Sequence, residues 1–270
     1  MSTKTKLLSK DTSNAKLAKT HDVHGRDWET LILYMAPATV GTAGLAKDGV
    51  SPVTLCPAST EQCRAGCLFY AGRAAMFRNV NEARIRKTRY FVESQAEFLA
   101  QLRGEIRTAV RRATRAGKRL AIRLNGTTDI DWVKLGVVAE FPEVQFYDYT
   151  KVPTRAIAWA RGELPSNYHL TFSRSESNSV VARRVLAAGG NVAVVIDESI
   201  KDVGVLKLSA SIINGDLHDA RFLDGKSAQG FLVLLKAKGK ARKTASESGF
   251  VLTAAGLESF ARETSNSVAA

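Results

Sequence analysis

RLAIRLN (119–125), DIDWVKLGVVAEF (129–141), VQFYDYT (144–150), PTRAIAWARGE (153–163), YHLTFS (168–173), SNSVVARRVLAAGG (177–190) and NVAVVID (191–197) follow one another with short connections. Four are apolar runs of strand length and three carry apolar residues at helical spacing, with Pro153 at a first helical turn and Gly189 at a helix end. Such alternation predicts βα units and a parallel sheet covered by helices, α/β in class, open or curled into a full or partial (β/α) barrel. Upstream, ETLILYMAPATV (29–40) reads as a buried strand stopped by Pro37. Apolar residues from Val80 to Val110 mark one or two amphipathic helices ending at Gly117. Downstream, LKLSASIINGDLHDARFLD (206–224) reads as short strands and turns, and GFLVLLKAKGKARK (230–243) as a strand running into a basic tip. Residues 1–20 are polar without periodicity and are predicted to be a mobile basic arm. Residues 21–262 are predicted to form one barrel-like domain and 263–270 a frayed tail.

The chain has 270 residues with 39 Lys+Arg against 26 Asp+Glu, a net +13. That excess attracts a polyanion, and nucleic acid is the first partner to expect. Residues 78–123 hold thirteen Lys/Arg and four Glu, which implies a basic face unless these side chains only solvate helices. No apolar run approaches a membrane span and the N-terminus lacks the apolar core of a secretory signal, so a cytoplasmic location and no membrane partner are expected. GxSxG, HExxH, Walker A and GxGxxG patterns do not occur, which removes the usual support for esterase, zincin, P-loop and dinucleotide readings.

All three cysteines, Cys56, Cys63 and Cys67, fall within LCPASTEQCRAGC (55–67), a C-x6-C-x3-C loop after a strand. Three thiolates suit a cubane iron–sulfur cluster with one open iron, a zinc site completed by a distant ligand, or plain buried thiols. The four histidines, His21, His24, His169 and His218, are scattered. His169 reads as a packed residue and His218, between Asp216 and Asp219, as better suited to polar work. Polar residues gather where the strands end: Asn125, Thr127, Thr128 and Asp129; Asp148, Tyr149 and Lys151; Ser173, Arg174 and Glu176; Asp197. In parallel α/β folds that edge carries the active site, although helix capping alone accounts for residues such as Thr128, Asp129 and Ser177. Strand alternation sends Tyr147 and Tyr149 to one face and Asp148 to the other.

Seven blocks in order, from LCPASTEQCRAGCLFYAGRAAMFRNVNEARIRKTRYF (55–91) through RLNGTTDIDW, VQFYDYTK, PSNYHLTFSRSESN, GGNVAVV and NGDLHDARFLD to LKAKGKARKTASESGF (235–250), resemble the phage-encoded gene-product-88 family. The strand ending in Thr150-Lys151 and the SNYHLTFSRSESN segment also resemble phage proteins related to radical S-adenosylmethionine enzymes and spore photoproduct lyase. The usual cysteine spacing of those enzymes is C-x3-C-x2-C, and this loop is wider at both intervals. The resemblance implies a partial (β/α) barrel with a [4Fe–4S] cluster on Cys56, Cys63 and Cys67. It further implies S-adenosyl-L-methionine chelated at the open iron and cleaved to a radical that abstracts a substrate hydrogen. By analogy, Asn125, Thr127, Asp129, Ser173 and Asp197 are expected at the cofactor and Asp148, Tyr149 and Lys151 in catalysis. The implied substrate is a base in phage DNA in the host cytoplasm, with isomerisation or rearrangement of an amino-acid-substituted thymine as the step and other base-modification enzymes as partners. Arg84, Arg86, Lys87, Lys236, Lys238 and Lys240 are the expected nucleic-acid contacts, and Tyr147, Tyr149 or Phe172 the expected stacking rings for a flipped base. Two other readings share these features: a barrel glycosylase or base-exchange enzyme using Asp129, Asp148 or Asp197 with zinc on the cysteines, and a non-catalytic DNA-binding accessory.

Overall fold

The computed structural model describes residues 5–10, 27–42, 45, 53–72, 76–203, 206, 208–225, 227–242 and 248–268. Strand β2 (Trp28–Leu33) opens the parallel part of the sheet, followed by β3 (Arg119–Arg123), β4 (Val144–Thr150), β5 (Tyr168–Ser173) and β6 (Val192–Ile196). Each pairs in parallel with its predecessor, and β8 (Leu232–Lys236) and β7 (Ile212–Asn214) continue the sheet beyond β6. Up to β6 the spatial order is the chain order, so no topological switch point lies among these strands. The described strands leave the sheet open, with β7 at one edge and β1 (Leu8–Lys10) at the other. The parallel α/β sheet expected from the 119–197 rhythm is present; closure into a full barrel is not seen in the described pairings.

Helices cover one face. From α2 (Arg78–Glu93) and α3 (Gln95–Arg115), Phe91, Phe98, Leu102, Ile106, Ala109 and Ala113 pack on Leu31, Leu33, Leu120, Ile122, Val144 and Phe146. Their three- and four-residue spacing puts them on one stripe, which is why the segment reads as amphipathic. Further along the sheet, α4 (Pro153–Ala160), α5 (Ser179–Ala187) and α6 (Ala254–Val268) bury Ala156, Ala182, Val185, Leu186, Leu257 and Phe260 against Phe172, Val192, Val194, Leu232 and Leu234. No helix among the described residues is long and apolar enough to cross a membrane.

Strands β5 and β6 pair only through Phe172 with Val192 and Ser173 with Ala193. Beyond that point they part, and β9 (Val251–Leu252) pairs with the end of β6. The Arg174 guanidinium holds the entry to β9 by donating to the carbonyls of Gly249 (2.8 Å) and Phe250 (3.2 Å). The carboxyl end of the sheet is thus split and partly filled by the 248–252 segment.

Three expectations are corrected. Residues 8–10 of the predicted arm form β1, antiparallel to β2, with Leu7 and Leu8 buried. The Glu105 carboxylate accepts from both their amides and the Lys87 ammonium donates to the Leu7 carbonyl at 2.7 Å, contacts with partners about eighty to a hundred residues away in sequence. The other residues of the predicted arm, 1–4 and 11–20, lie outside the described ones. Residues 129–141 form a series of turns instead of a helix: Gly136 takes φ of +74°, and the Asn125 side chain claims the Ile130 amide and the Trp132 indole. At the other terminus, α6 continues to Val268, through most of the expected frayed tail.

Candidate functional site

The carboxyl ends of β3 and β4 are locked from beneath. Asn125, following β3, is buried, and its side-chain oxygen accepts from Thr128 Oγ1 (2.9 Å), Ile130 N (2.9 Å) and Trp132 Nε1 (3.1 Å). Its amide nitrogen donates to the Ile130 carbonyl at 2.9 Å and to Asp148 Oδ2 at 3.3 Å. Asp148 is fully buried and also accepts from Asn125 N (2.6 Å) and the Tyr168 hydroxyl (3.0 Å). Burial pushes its carboxyl up to about 7, against the lowering effect of the Asn125 amide and the more distant Arg123 charge. Both residues are occupied within the fold, so they position the edge and offer no free group to a ligand. Gly126 is fixed by close approach, because a β-carbon there would stand 2.5 Å from the Tyr34 ring and 2.8 Å from the Leu33 carbonyl.

One layer higher, Asp129 accepts from Arg155 Nη2 (2.8 Å) and from the Lys151 amide (2.8 Å). Burial raises its pKa, while Arg155 and the Lys151 amide oppose the rise. The Lys151 ammonium donates to Ser173 Oγ at 2.8 Å and to the Ser173 carbonyl at 3.2 Å, and lies 5.6 Å from the Phe250 ring centre. Burial lowers its pKa, and Cys63, Asp129 and Glu176 pull it back toward the charged form.

The cysteine loop lies across this scaffold. Leu55 N donates to the Ala38 carbonyl and Asp129 N to the Leu55 carbonyl, which stitches the loop to the ends of β2 and β3. The short helix α1 (Glu61–Ala65) is N-capped by Thr60, and the Glu176 carboxylate, following β5, accepts from Thr60 Oγ1 (2.9 Å) and Gln62 N (3.1 Å). Cys56 Sγ accepts from Ala38 N at 3.2 Å and donates to the Thr127 carbonyl at 3.8 Å; Cys67 Sγ accepts from Phe69 N at 3.5 Å. Cys63 packs against the cluster of Ala237, Ala241, Phe250 and Val251.

The three thiols sense one another's charge. Burial pushes Cys56 up to about 12, and Asp129, Cys67 and Cys63 add to it against the Ala38 amide. Burial also raises Cys63 and Cys67, with Lys151 opposing at both and Arg84 at Cys67. Burial thus works against thiolate charge here, and Lys151, Arg84 and Arg64 work for it. Among the described residues, no group of three or more His, Cys, Asp or Glu side chains is placed to hold a single metal ion.

The structure thus brings together Cys56, Cys63, Cys67, Thr127, Asp129, Lys151 and Ser173 at one edge, and adds Glu176, Arg155 and Phe250. The signal for Glu176 was its place at a strand end; Arg155 and Phe250 depend on contacts too distant in sequence to be read. Asp197 stands apart, its exposed carboxylate accepting from Ser199 N at 2.7 Å in a turn after β6. Tyr149 faces the other side of the sheet, as alternation requires, beside Arg123, whose guanidinium lies 4.8 Å from its ring centre. There Asp219 pairs with Arg123 at 3.2 Å and accepts from the Tyr147 hydroxyl at 3.4 Å, while the buried Arg221 pairs with Asp224. The 218–224 segment therefore covers that face. His218 belongs to this network, 3.1 Å from Arg221 through Nδ1, as its polar setting suggested. Tyr147 and Phe172 are fully buried, which corrects their expected stacking role.

The basic residues divide in the same way. Lys87 is buried on the Leu7 carbonyl with its pKa lowered to about 8 by burial, which corrects its assignment to a nucleic-acid face. Arg103 and Arg107 pair with Glu140, and Arg112 pairs with Glu29. Arg84 lies over the Tyr34 and Phe69 rings. Lys236 donates to the Lys201 carbonyl and Lys238 pairs with Asp216 at 3.0 Å, whereas Arg86 is exposed and Lys240 projects from the exposed tip over the Tyr70 ring at 5.0 Å. Lys243, His21 and His24 lie outside the described residues.

A cavity of about 280 Å³ opens at the opposite, amino end of β4 and β5, lined by Gln145, Trp159, Tyr168, His169 and Phe222 among others. His169 packs there against Trp159, with ring centres 4.5 Å apart, as its strand position suggested. The three cysteines lie at the carboxyl edge, away from this cavity. No curated protein and no solved structure matches the chain. The family model described as gene product 88 matches residues 6–254, nearly the whole chain, and the chain therefore belongs to the phage gene product 88 family.

Proposed function

We propose that this protein is a radical S-adenosylmethionine enzyme that modifies a base in phage DNA, isomerising or rearranging an amino-acid substituent on thymine. The observation that carries this reading is the gathering of all three cysteines at the carboxyl edge of a sequentially ordered parallel sheet, with a polar scaffold beneath them. The finer description of the fold as a partial barrel of the radical S-adenosylmethionine type belongs to the same proposal; the unbroken strand order from β2 to β6 and the helices on one face support it.

In this reading the three thiolates would hold a [4Fe–4S] cluster. A cubane takes one thiolate per iron, so its ligands need not converge on one ion as those of zinc do. Backbone amides already point at Cys56 and Cys67 sulfurs, the kind of hydrogen bond that tunes such clusters. Cys56, Cys63 and Cys67 would hold it, and when bound it supplies low-potential electron transfer and an open iron position.

The chain's own residues then have definite tasks. Thr60 and Glu176 fix the cysteine loop on the sheet. Lys151 and Arg84 reduce the cost of thiolate charge at Cys63 and Cys67. Lys151 and Ser173 form the polar wall beside Cys63, the place to receive the carboxylate and amine of S-adenosylmethionine, and Phe250 shields that wall from water. Asp129 and Thr127 shape the floor, while Asp148 and Asn125 act by holding them. The internal use of Asp129 and Asp148 weighs against the glycosylase reading, which needs a carboxylate free to attack. Pairing of Arg103 and Arg107 with Glu140 and of Arg112 with Glu29 leaves fewer free cations in the 78–123 segment for a passive binder.

The test is an anaerobic assay of the reconstituted protein with S-adenosylmethionine, dithionite and phage DNA containing substituted thymines, read by chromatography of the nucleosides. Formation of 5′-deoxyadenosine with a changed thymine nucleoside is the expected result. An unchanged nucleoside profile, with S-adenosylmethionine intact, would overturn the proposal.

A further inference from the structure

Among the described residues, four of the six large apolar side chains that stand exposed fall between positions 68 and 77: Leu68 (53% exposed), Tyr70 (38%), Met76 (70%) and Phe77 (47%). They follow directly on Cys67. The 3₁₀ turn Leu68–Tyr70 begins at that cysteine, which caps it by accepting from Phe69 N, and Phe77 stands at the entry to α2. Phe69 is the buried anchor of the turn, edge-on to Tyr70 with ring centres 5.0 Å apart and 5.6 Å from the Arg84 guanidinium. The exposed rings are therefore mounted on a fixed base.

Exposed cations lie on the flanking helices and on the 239–242 turn. Lys240 reaches over Tyr70, Arg64 is exposed on α1, and Arg78 and Arg86 are exposed on α2, with Arg78 paired to Glu82. Flat apolar rings bordered by positive side chains match a chain of unpaired bases on a phosphate backbone: each base has a face to stack and each phosphate a charge to neutralise. A duplex hides those faces. The rings buried elsewhere, Tyr147 and Phe172, cannot take this part.

We infer that Leu68, Tyr70, Met76 and Phe77, with Lys240 and Arg86, form a docking surface for single-stranded DNA at the mouth of the cysteine loop. The inference deepens the proposed function and rests on it for the choice of DNA: Tyr70 sits in the turn that Cys67 caps, so a base held on its ring is delivered to the cysteine edge already unstacked.

The experiment is fluorescence anisotropy of the full chain with a labelled oligothymidylate of about twelve nucleotides, its duplex with oligoadenylate, and an oligouridylate. The single DNA strand should bind more tightly than the duplex. Tyr70→Ala and Phe77→Ala should each weaken it by about 5- to 100-fold, and Tyr70→Phe, which keeps the ring, should restore most of the loss. Arg86→Gln and Lys240→Gln should each lower the slope of log affinity against log salt by about 0.7, while the ring variants leave that slope unchanged. Circular dichroism melting of the ring variants, with Tyr70→Phe beside them, separates lost binding from lost stability. Alanine variants that bind like the wild type, a preference for duplex, or tighter binding to the oligouridylate would each overturn the inference. Iron content, measured on the same samples after anaerobic reconstitution, separates the two proposals: ring-dependent binding by protein that stays iron-free refutes the cluster alone, and iron-loaded protein without ring-dependent binding refutes the docking surface alone.

Discussion

Two polar groups meet at the carboxyl edge of the sheet, and they are built to opposite ends. Asp129 and Asp148 are carboxylates whose oxygens are taken up by Arg155, the Lys151 amide, Asn125 and Tyr168, all within the fold. Cys56, Cys63 and Cys67 are thiols held by a few backbone contacts, and burial makes each of them harder to ionise. A carboxylate closed in by partners holds structure. A buried thiol is favoured in its neutral form, and a cationic guest would have to displace its proton. The carboxylate scaffold and the thiols are thus different residues, although both are polar and both follow strand ends.

Stability measurements in urea can break this comparison. The largest loss is expected for Arg155→Ala, which strands the Asp129 carboxylate in a buried site: about 3–5 kcal/mol. Asp148→Ala leaves the Asn125 amide and Tyr168 hydroxyl without their acceptor and should cost about 2–4 kcal/mol. Thr60→Ala removes the cap of α1 and one anchor of the cysteine loop, a loss of about 1 kcal/mol accompanied by weaker iron retention. Cys63→Ser should change stability by less than about 1 kcal/mol while abolishing iron binding. If Cys63→Ser destabilised more than Arg155→Ala, the division between scaffold and reactive groups would be reversed.

The pH dependence sharpens the same point. The Asp148 carboxyl has a folded pKa of about 7 against 3.8 as its ordinary value, so the folded state binds its proton more tightly than the unfolded chain. Its contribution is fully present below about 4 and is lost as pH rises through about 7. Asp148→Asn, which cannot ionise, should show a smaller fall in stability between those limits, and carbon-13 NMR should place the wild-type titration near neutrality. A carboxyl that titrates at its ordinary value would mean that water reaches Asp148.

The parallel sheet was legible because largely buried strands such as VAVVI write their burial as continuous apolar runs, and α3 writes its buried face at three- and four-residue intervals. The 129–141 segment shows the limit of that reading. Its apolar residues Trp132, Val137, Val138 and Phe141 fit a helix, yet the Asn125 side chain captures Ile130 and Trp132 first and Gly136 turns the chain. Strand β1 was hidden for another reason: what holds Leu7 and Leu8 are Glu105 and Lys87, partners that local pattern does not reveal. In the site, the cysteines were conspicuous by spacing, and Lys151 and Ser173 by position. Asn125 and Asp148 had the same position but are buried beneath the edge, a difference of depth that strand alternation alone does not give.

The central claim, that the cysteine loop holds an iron–sulfur cluster on three thiolates, is tested most directly by anaerobic reconstitution. Iron and sulfide are quantified, and electron paramagnetic resonance of the reduced protein is recorded before and after S-adenosylmethionine is added. The account predicts about four irons and four sulfides per chain, a reduced-cluster signal that shifts with S-adenosylmethionine, and loss of both when Cys56, Cys63 and Cys67 are replaced by alanine. A reconstituted protein that binds zinc or no metal, or whose iron survives the triple replacement, would contradict it.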